Sequence, residues 1–96
     1  MWILRCSEPD ATFRLRPGAI KTVGRAPRAD FIVDAALVSR LHCRLEAGND
    51  NLDVIDLSST NGTYVNGKRV ERARLTSGDR LRVGRVELTV HQKGSA

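Results

Sequence analysis

Hydrophobic and polar positions alternate along short stretches of this chain. Phe13 and Leu15, Leu81 and Val83, and Val86, Leu88 and Val90 stand two residues apart, with Arg14, Arg82, Glu87 and Thr89 between them. A period of two is that of a half-buried β-strand. Turn-forming residues punctuate these runs at Pro17-Gly18, Ala26-Pro27, Gly48-Asn49-Asp50-Asn51, Asn61-Gly62, Asn66-Gly67, Gly78-Asp79 and Gly84. Short strands at this spacing predict an all-β sandwich or barrel. Asn-Gly between such runs is the strongest short-range hairpin signal, because both central residues of a type I′ turn need positive φ. Leu81 and Val83 share one parity, whereas Val86, Leu88 and Val90 have the other. With one face buried, the chain must turn or bulge at Gly84-Arg85.

The stretch DAALVSRLHCRLEA, Asp34 to Ala47, fits two patterns. It lacks Gly and Pro, and Leu37, Val38, Leu41 and Leu45 fall on one helical face, with Asp34 placed to cap the start and Gly48 the end. Yet Leu41, Cys43, Leu45 and Ala47 also alternate, with His42, Arg44 and Glu46 facing the other way. Periodicity alone predicts a helix here, but the alternation counts against it and the pattern does not settle the matter.

Composition narrows the classes. The chain has 96 residues, of which 41% are hydrophobic, enough for one compact domain with a modest core and too few for a multidomain enzyme. No run approaches the roughly 18 apolar residues of a membrane span. Met1-Trp2-Ile3-Leu4-Arg5 lacks the basic region and long apolar run of a secretory signal. Gln92 to Ala96 reads as a disordered tail after a domain of residues 1–91. Two cysteines, Cys6 and Cys43, make no disulfide framework and read as reduced, buried thiols. The net charge is +5, and 13 of the 16 basic residues are Arg. Arginine's planar fork suits phosphate and carboxylate, so nucleic acid, a phosphorylated protein and an acidic partner all fit.

Catalytic and metal chemistries find little support. Ser39, His42 and Asp56 supply the residue types of a hydrolytic triad, but no G-x-S-x-G elbow surrounds Ser39 and nothing is placed to form an oxyanion hole. Cys6, His42, Cys43 and His91 lack zinc-ligand spacing. Neither GxGxxG nor a Walker motif is present. The expectation is a protein that is not an enzyme and uses no metal or cofactor.

What remains is small polar residues in turns, accompanied by Arg. In order they are Gly24-Arg25; Ser39-x-x-His42; Asp56-x-x-Ser59-x-Asn61-Gly62-Thr63-x-x-Asn66-Gly67; and Leu75-x-x-Gly78-Asp79-x-Leu81-x-x-Gly84. Four blocks in this order and spacing resemble the forkhead-associated (FHA) domain family, over about Trp2 to Val90. The resemblance implies an eleven-stranded, largely antiparallel β-sandwich whose loops at one end bind phosphothreonine. It resolves the open segment in favour of a loop at Asp34–Val38, Ser39-Arg40 at its end, and a strand over Leu41–Ala47.

A phosphate offers about −1.5 to −2 charges and three acceptor oxygens, so its site needs several donors and a fixed cation. By resemblance, Arg25 supplies charge-assisted hydrogen bonds, Ser39 its hydroxyl, and Arg40 lies along the peptide or reaches the phosphate. Thr60 helps bind the phosphate, and Asn61 holds the ligand's main chain just after it. Gly24, His42, Asn66 and Gly67 are structural: glycines permit loop geometry closed to other residues, and His42 holds the loops in place. Leu37, two before the loop serine, faces the third residue after the phosphothreonine and implies an apolar preference there. Relatives also favour phosphothreonine over phosphoserine through a small pocket for the methyl group.

The implied role is a non-catalytic module recognising a threonine-phosphorylated protein or peptide in Ser/Thr kinase signalling. It is expected to be cytoplasmic, or nuclear in a eukaryote, monomeric as an isolated domain, and without membrane contact. A small basic nucleic-acid binder with Asp34–Ala47 as recognition helix is the rival, but only 4% of residues are aromatic and no stacking cluster is present. A degenerate scaffold that binds without phosphate is disfavoured by the intact Arg25, Ser39, Thr60 and Asn61.

Overall fold

The computed structural model describes residues 1–8 and 10–93, and these form two packed sheets without a helix. The first sheet orders its strands β2 (Asp10–Leu15), β1 (Trp2–Ser7), β11 (Val86–Gln92), β10 (Arg80–Val83), β7 (Thr63–Val65) and β8 (Lys68–Val70). The second orders them β4 (Phe31–Ile32), β3 (Ile20–Gly24), β5 (Cys43–Ala47), β6 (Leu52–Asp56) and β9 (Arg72–Leu75). All pairings are antiparallel except β3 with β4, where Val23 lies opposite Phe31. The eleven strands of the expected sandwich are therefore present among the described residues. No described helix is long and apolar enough to cross a membrane.

The core is where the alternating positions of both sheets meet. Trp2 and Leu4 of β1, Leu81 of β10 and Leu88 of β11 face Leu45 of β5 and Leu52 and Val54 of β6, all essentially without solvent contact. Burying each such side chain contributes roughly 1.5–3 kcal/mol, the main force holding the sheets together. The one polar atom of Trp2 is satisfied, since its indole N–H donates to the Gly48 carbonyl at 2.9 Å.

The parity change resolves as a two-residue hairpin at Gly84-Arg85, with Val83 opposite Val86 and Leu81 opposite Leu88. The two Asn-Gly pairs part company. Asn66 (φ 51°) and Gly67 (φ 83°) make the expected type I′ hairpin between β7 and β8. Asn61-Gly62 instead lies in the crossover that carries the chain from β6 in one sheet to β7 in the other; there Gly62 is left-handed (φ 88°) and Asn61 is not.

Residues 34–47 are no helix, which removes the element on which the nucleic-acid rival depended. The segment is irregular through His42, and β5 begins at Cys43, two residues later than expected. His42 nonetheless bridges its neighbours: its N–H donates to Val23 O at 2.7 Å and its carbonyl accepts from Leu57 N–H at 3.0 Å. Strand β11 runs through Gln92, opposite Trp2, and Lys93 N–H donates to Met1 O, so pairing extends past residue 91. Residues 94–96 of the expected tail lie outside the described residues.

On the outer face of the second sheet, arginines are internally compensated. Arg44 meets Glu46 at 3.0 Å, and Arg72 and Arg74 meet Asp53 at 3.5 and 3.4 Å. Exposed pairs of this kind are worth at most about 1 kcal/mol. They show where part of the positive charge is matched.

Candidate functional site

Register places the expected residues at one end of the sandwich. Val23 of β3 lies opposite Cys43 of β5, which lies opposite Asp56 of β6, and in the other sheet Thr63 lies opposite Val83. The loops that leave these strand ends, residues 25–30, 33–42 and 57–62, therefore gather together with the Gly84-Arg85 turn. Arg25, Leu37, Ser39, Arg40, Thr60 and Asn61 line a single open depression of about 280 Å³, with Ala36 and Val38.

Three of these side chains, those of Arg25, Ser39 and Asn61, are held by backbone. Arg25 N–H donates to Ser39 O at 3.0 Å, and its Nε–H donates to Val38 O at 3.1 Å. That leaves the two terminal nitrogens of the guanidinium to meet a ligand. The Ser39 hydroxyl oxygen accepts from Thr60 N–H at 3.0 Å. Asn61 Nδ2 donates to Leu37 O at 3.0 Å, tying the two loops across the depression; Oδ1, without a partner among the described residues, can accept a main-chain N–H. Leu37 is 39% exposed, an apolar side chain at the rim.

His42 holds the loops from below. Its ring is fully buried, and Nδ1 accepts the Ser39 N–H at 3.0 Å. Nε2 then carries the hydrogen and donates it to the Gly62 carbonyl at 2.8 Å. One imidazole thus joins the two loops that supply Ser39 and Thr60.

A second knot is built on Asp56. One carboxylate oxygen accepts from Ser59 N–H at 3.1 Å; the other accepts from the hydroxyls of Ser59 and, at 2.7 Å, Thr63. Ser59 Oγ in turn accepts from Gly62 N–H at 3.0 Å. Burial raises the Asp56 pKa, but the hydrogen bonds from Ser59 and Thr63 outweigh it and hold the carboxyl below its ordinary value.

Two glycines matter by what they lack. A Cβ on Gly24 would lie 2.1 Å from the Arg40 carbonyl oxygen, so only glycine lets the Arg40 loop cross over β3. A Cβ on Gly84 would lie 2.6 Å from Leu37 O, so the hairpin of the first sheet supports the loop of the second. Asn66 is structural, and its side chain accepts Arg80 N–H at 2.9 Å and donates to Asp79 at 3.2 Å. Gly67 completes that turn, away from the depression.

Sequence reading gave no part in holding the site to Val38, whose carbonyl aims Arg25, to Gly84, read only as a turn, to Asp56, weighed only for a hydrolytic triad, or to Ser59 and Thr63. The last four stand within the quoted motif blocks, so their signal was present. Val38 carries none, because the group involved is a carbonyl that any residue provides.

Comparison with known proteins identifies the fold. The FHA domain family model matches residues 21–84. The glycogen accumulation regulator GarA of Mycobacterium tuberculosis is 40% identical over 70 residues, covering 73% of this chain and 43% of that protein. This chain thus spans less than half of that relative. A solved FHA domain, from work on phosphothreonine-dependent FHA domain interactions, superposes with a TM-score of 0.90 at 32% identity, covering 98% of both chains. The FhaA FHA domain, crystallised with the intracellular domain of Rv3910, gives 0.87 at 33% identity, covering 95% of this chain and all of that one.

Proposed function

The chain belongs to the FHA domain family, and from that premise we propose that it is a non-catalytic module that binds threonine-phosphorylated proteins in Ser/Thr kinase signalling. The observation that carries this reading is the convergence of Arg25, Ser39, Arg40, Thr60 and Asn61, from three separate loops, on one depression. Donors there outnumber acceptors, as a phosphate requires. The phosphate sits against the terminal nitrogens of Arg25 and the Ser39 hydroxyl. The Arg40 N–H, which has no partner among the described residues, joins them. Asn61 clamps the main chain after the phosphothreonine, which fixes register without reading sequence. Leu37 favours an apolar residue three positions on, and matched peptides bind better with phosphothreonine than with phosphoserine. The same reading takes the module to act as a monomer in the cytoplasm.

Calorimetric titration of a phosphothreonine peptide tests the reading. Wild type should bind the phosphorylated peptide and not its unmodified form, and Arg25→Ala should lose binding at least about tenfold, since a hydrogen bond to a charged group is worth about 1.5–3 kcal/mol. Equal affinity of wild type and Arg25→Ala would overturn it.

A further inference from the structure

Beyond the Arg25–Arg40 pair lies a second depression, of about 320 Å³, lined by Arg25, Ala26, Pro27 and Arg40. Its chemistry differs from that of the first. It has no hydroxyl and no carboxylate; Ala26 N–H is already spent on Arg40 O at 3.1 Å, and Pro27 has none to offer. Arg25 and Arg40 are the only lining residues with polar side chains.

Arg40 itself is unmatched. Its side chain is exposed and makes neither an ion pair nor a hydrogen bond among the described residues, in contrast to Arg44, Arg72 and Arg74. Asp30, the carboxylate of the adjoining turn, is occupied by the Thr22 N–H and hydroxyl at 2.9 and 3.1 Å. With Arg25 given to one phosphate under the reading above, the second shelf retains a cation that no described residue balances. A ligand that brings another anion there gains attraction and relieves like-charge repulsion.

We infer that Arg40 is a specificity-determining residue that selects a second anionic side chain just before the phosphothreonine. The inference rests on the phosphothreonine reading above. Asn61 and Leu37 hold the residues that follow the phosphothreonine at one end of the first depression, so those that precede it leave over Arg25 and Arg40. A carboxylate and a second phosphate share the chemistry that this shelf reads.

The test uses phosphothreonine peptides that differ in the two preceding residues, Ala-Ala, Glu-Glu, Lys-Lys and phosphoserine-Ala, with a control that carries Ala-Ala before the phosphothreonine and Glu-Glu after it. Wild type should bind the Glu-Glu peptide about three- to tenfold more tightly than Ala-Ala, as expected for two exposed ion pairs, and Lys-Lys more weakly. In Arg40→Gln the ratio of Glu-Glu to Ala-Ala affinities should fall to about one, whatever the absolute affinities. Raising salt should shrink the ratio in wild type. If phosphoserine-Ala exceeds Glu-Glu, a second phosphate is the preferred source; if not, a carboxylate suffices, and either result supports the inference. Equal affinities in wild type, a ratio that survives Arg40→Gln, or the same gain from Glu placed after the phosphothreonine would overturn it. Failure of the Ala-Ala peptide to outbind its unphosphorylated form would instead sink the underlying reading, so the two failures are distinguishable.

Discussion

The backbone N–H of Thr60 and the hydroxyl oxygen of Ser39 meet at 3.0 Å, across a sequence separation of 21 residues. With that oxygen already accepting, the hydroxyl hydrogen is left to donate into the depression. Ser39→Ala should therefore weaken phosphothreonine-peptide binding about tenfold or more, because a donor to a charged group is lost. Thermal denaturation should move by only a few degrees, since Thr60 is exposed and its N–H regains water. Titration showing affinity within twofold of wild type would contradict this arrangement.

His42 should behave differently, because it holds two loops at once. His42→Ala leaves the Ser39 N–H and the Gly62 carbonyl without their partner and opens a void beneath the site. A loss of about 3 kcal/mol in urea unfolding is expected, with weakened peptide binding. Arg25→Ala should weaken binding with little effect on unfolding. A His42→Ala variant with an unchanged unfolding midpoint would show that the imidazole is not the tie between the loops.

Two glycine substitutions separate steric from conformational demands. Gly24→Ala places a methyl 2.1 Å from the Arg40 carbonyl, so backbone must move; at least about 2 kcal/mol of stability and much of the binding should go. Gly67→Ala meets nothing within 4 Å but sits at φ +83°, so about 1–2 kcal/mol is expected with binding retained. Calorimetric melting and peptide titration on the pair give the comparison, and equal effects on binding would refute the assignment.

Asp56 predicts an acid limit to stability. Its pKa is lowered in the folded protein: hydrogen bonds from Ser59 and Thr63 overcome the raising effect of burial. A depressed carboxyl stabilises fully above its unfolded value of about 3.9, and the contribution disappears as pH falls through the lower folded value. The stability gap between wild type and Asp56→Asn should therefore be constant from pH 7 to 5 and shrink below about pH 4. Urea unfolding across that range measures it; a gap that widens in acid would reverse the sign.

Cys43 should be inert in the native state. The thiol has no solvent exposure, and burial, assisted by the nearby negative charge of Asp56, pushes its pKa up to about 12. Iodoacetamide at about pH 8 should modify it only as the protein unfolds. Mass spectrometry showing rapid native labelling of Cys43 would place it at a surface the fold does not provide.

Much of this was legible in the residues. Alternation at Leu81/Val83 and Val86/Leu88/Val90 marked two strands and, through the parity change, the hairpin between them. Asn66-Gly67 announced a turn whose two positive φ angles are found as expected. The motif blocks named Arg25, Ser39 and Asn61, and the family resemblance added Leu37, Arg40 and Thr60, all of which meet in the depression. These are local demands, on φ or on one face of a strand, and a local pattern is sufficient to express them.

Tertiary structure decided the rest. Residues 34–47 fit a helical period while 41–47 also alternate like a strand, and only pairing of β5 with β3 and β6 made Cys43–Ala47 a strand. Asn61-Gly62 has the same letters as Asn66-Gly67 yet serves a crossover, because β6 and β7 belong to different sheets. The void left by Gly84 for the Leu37 carbonyl, and the carbonyl of Val38 that aims Arg25, join residues remote in sequence through backbone atoms. Such contacts depend on where two sheets stack, and no single stretch of residues encodes that distance.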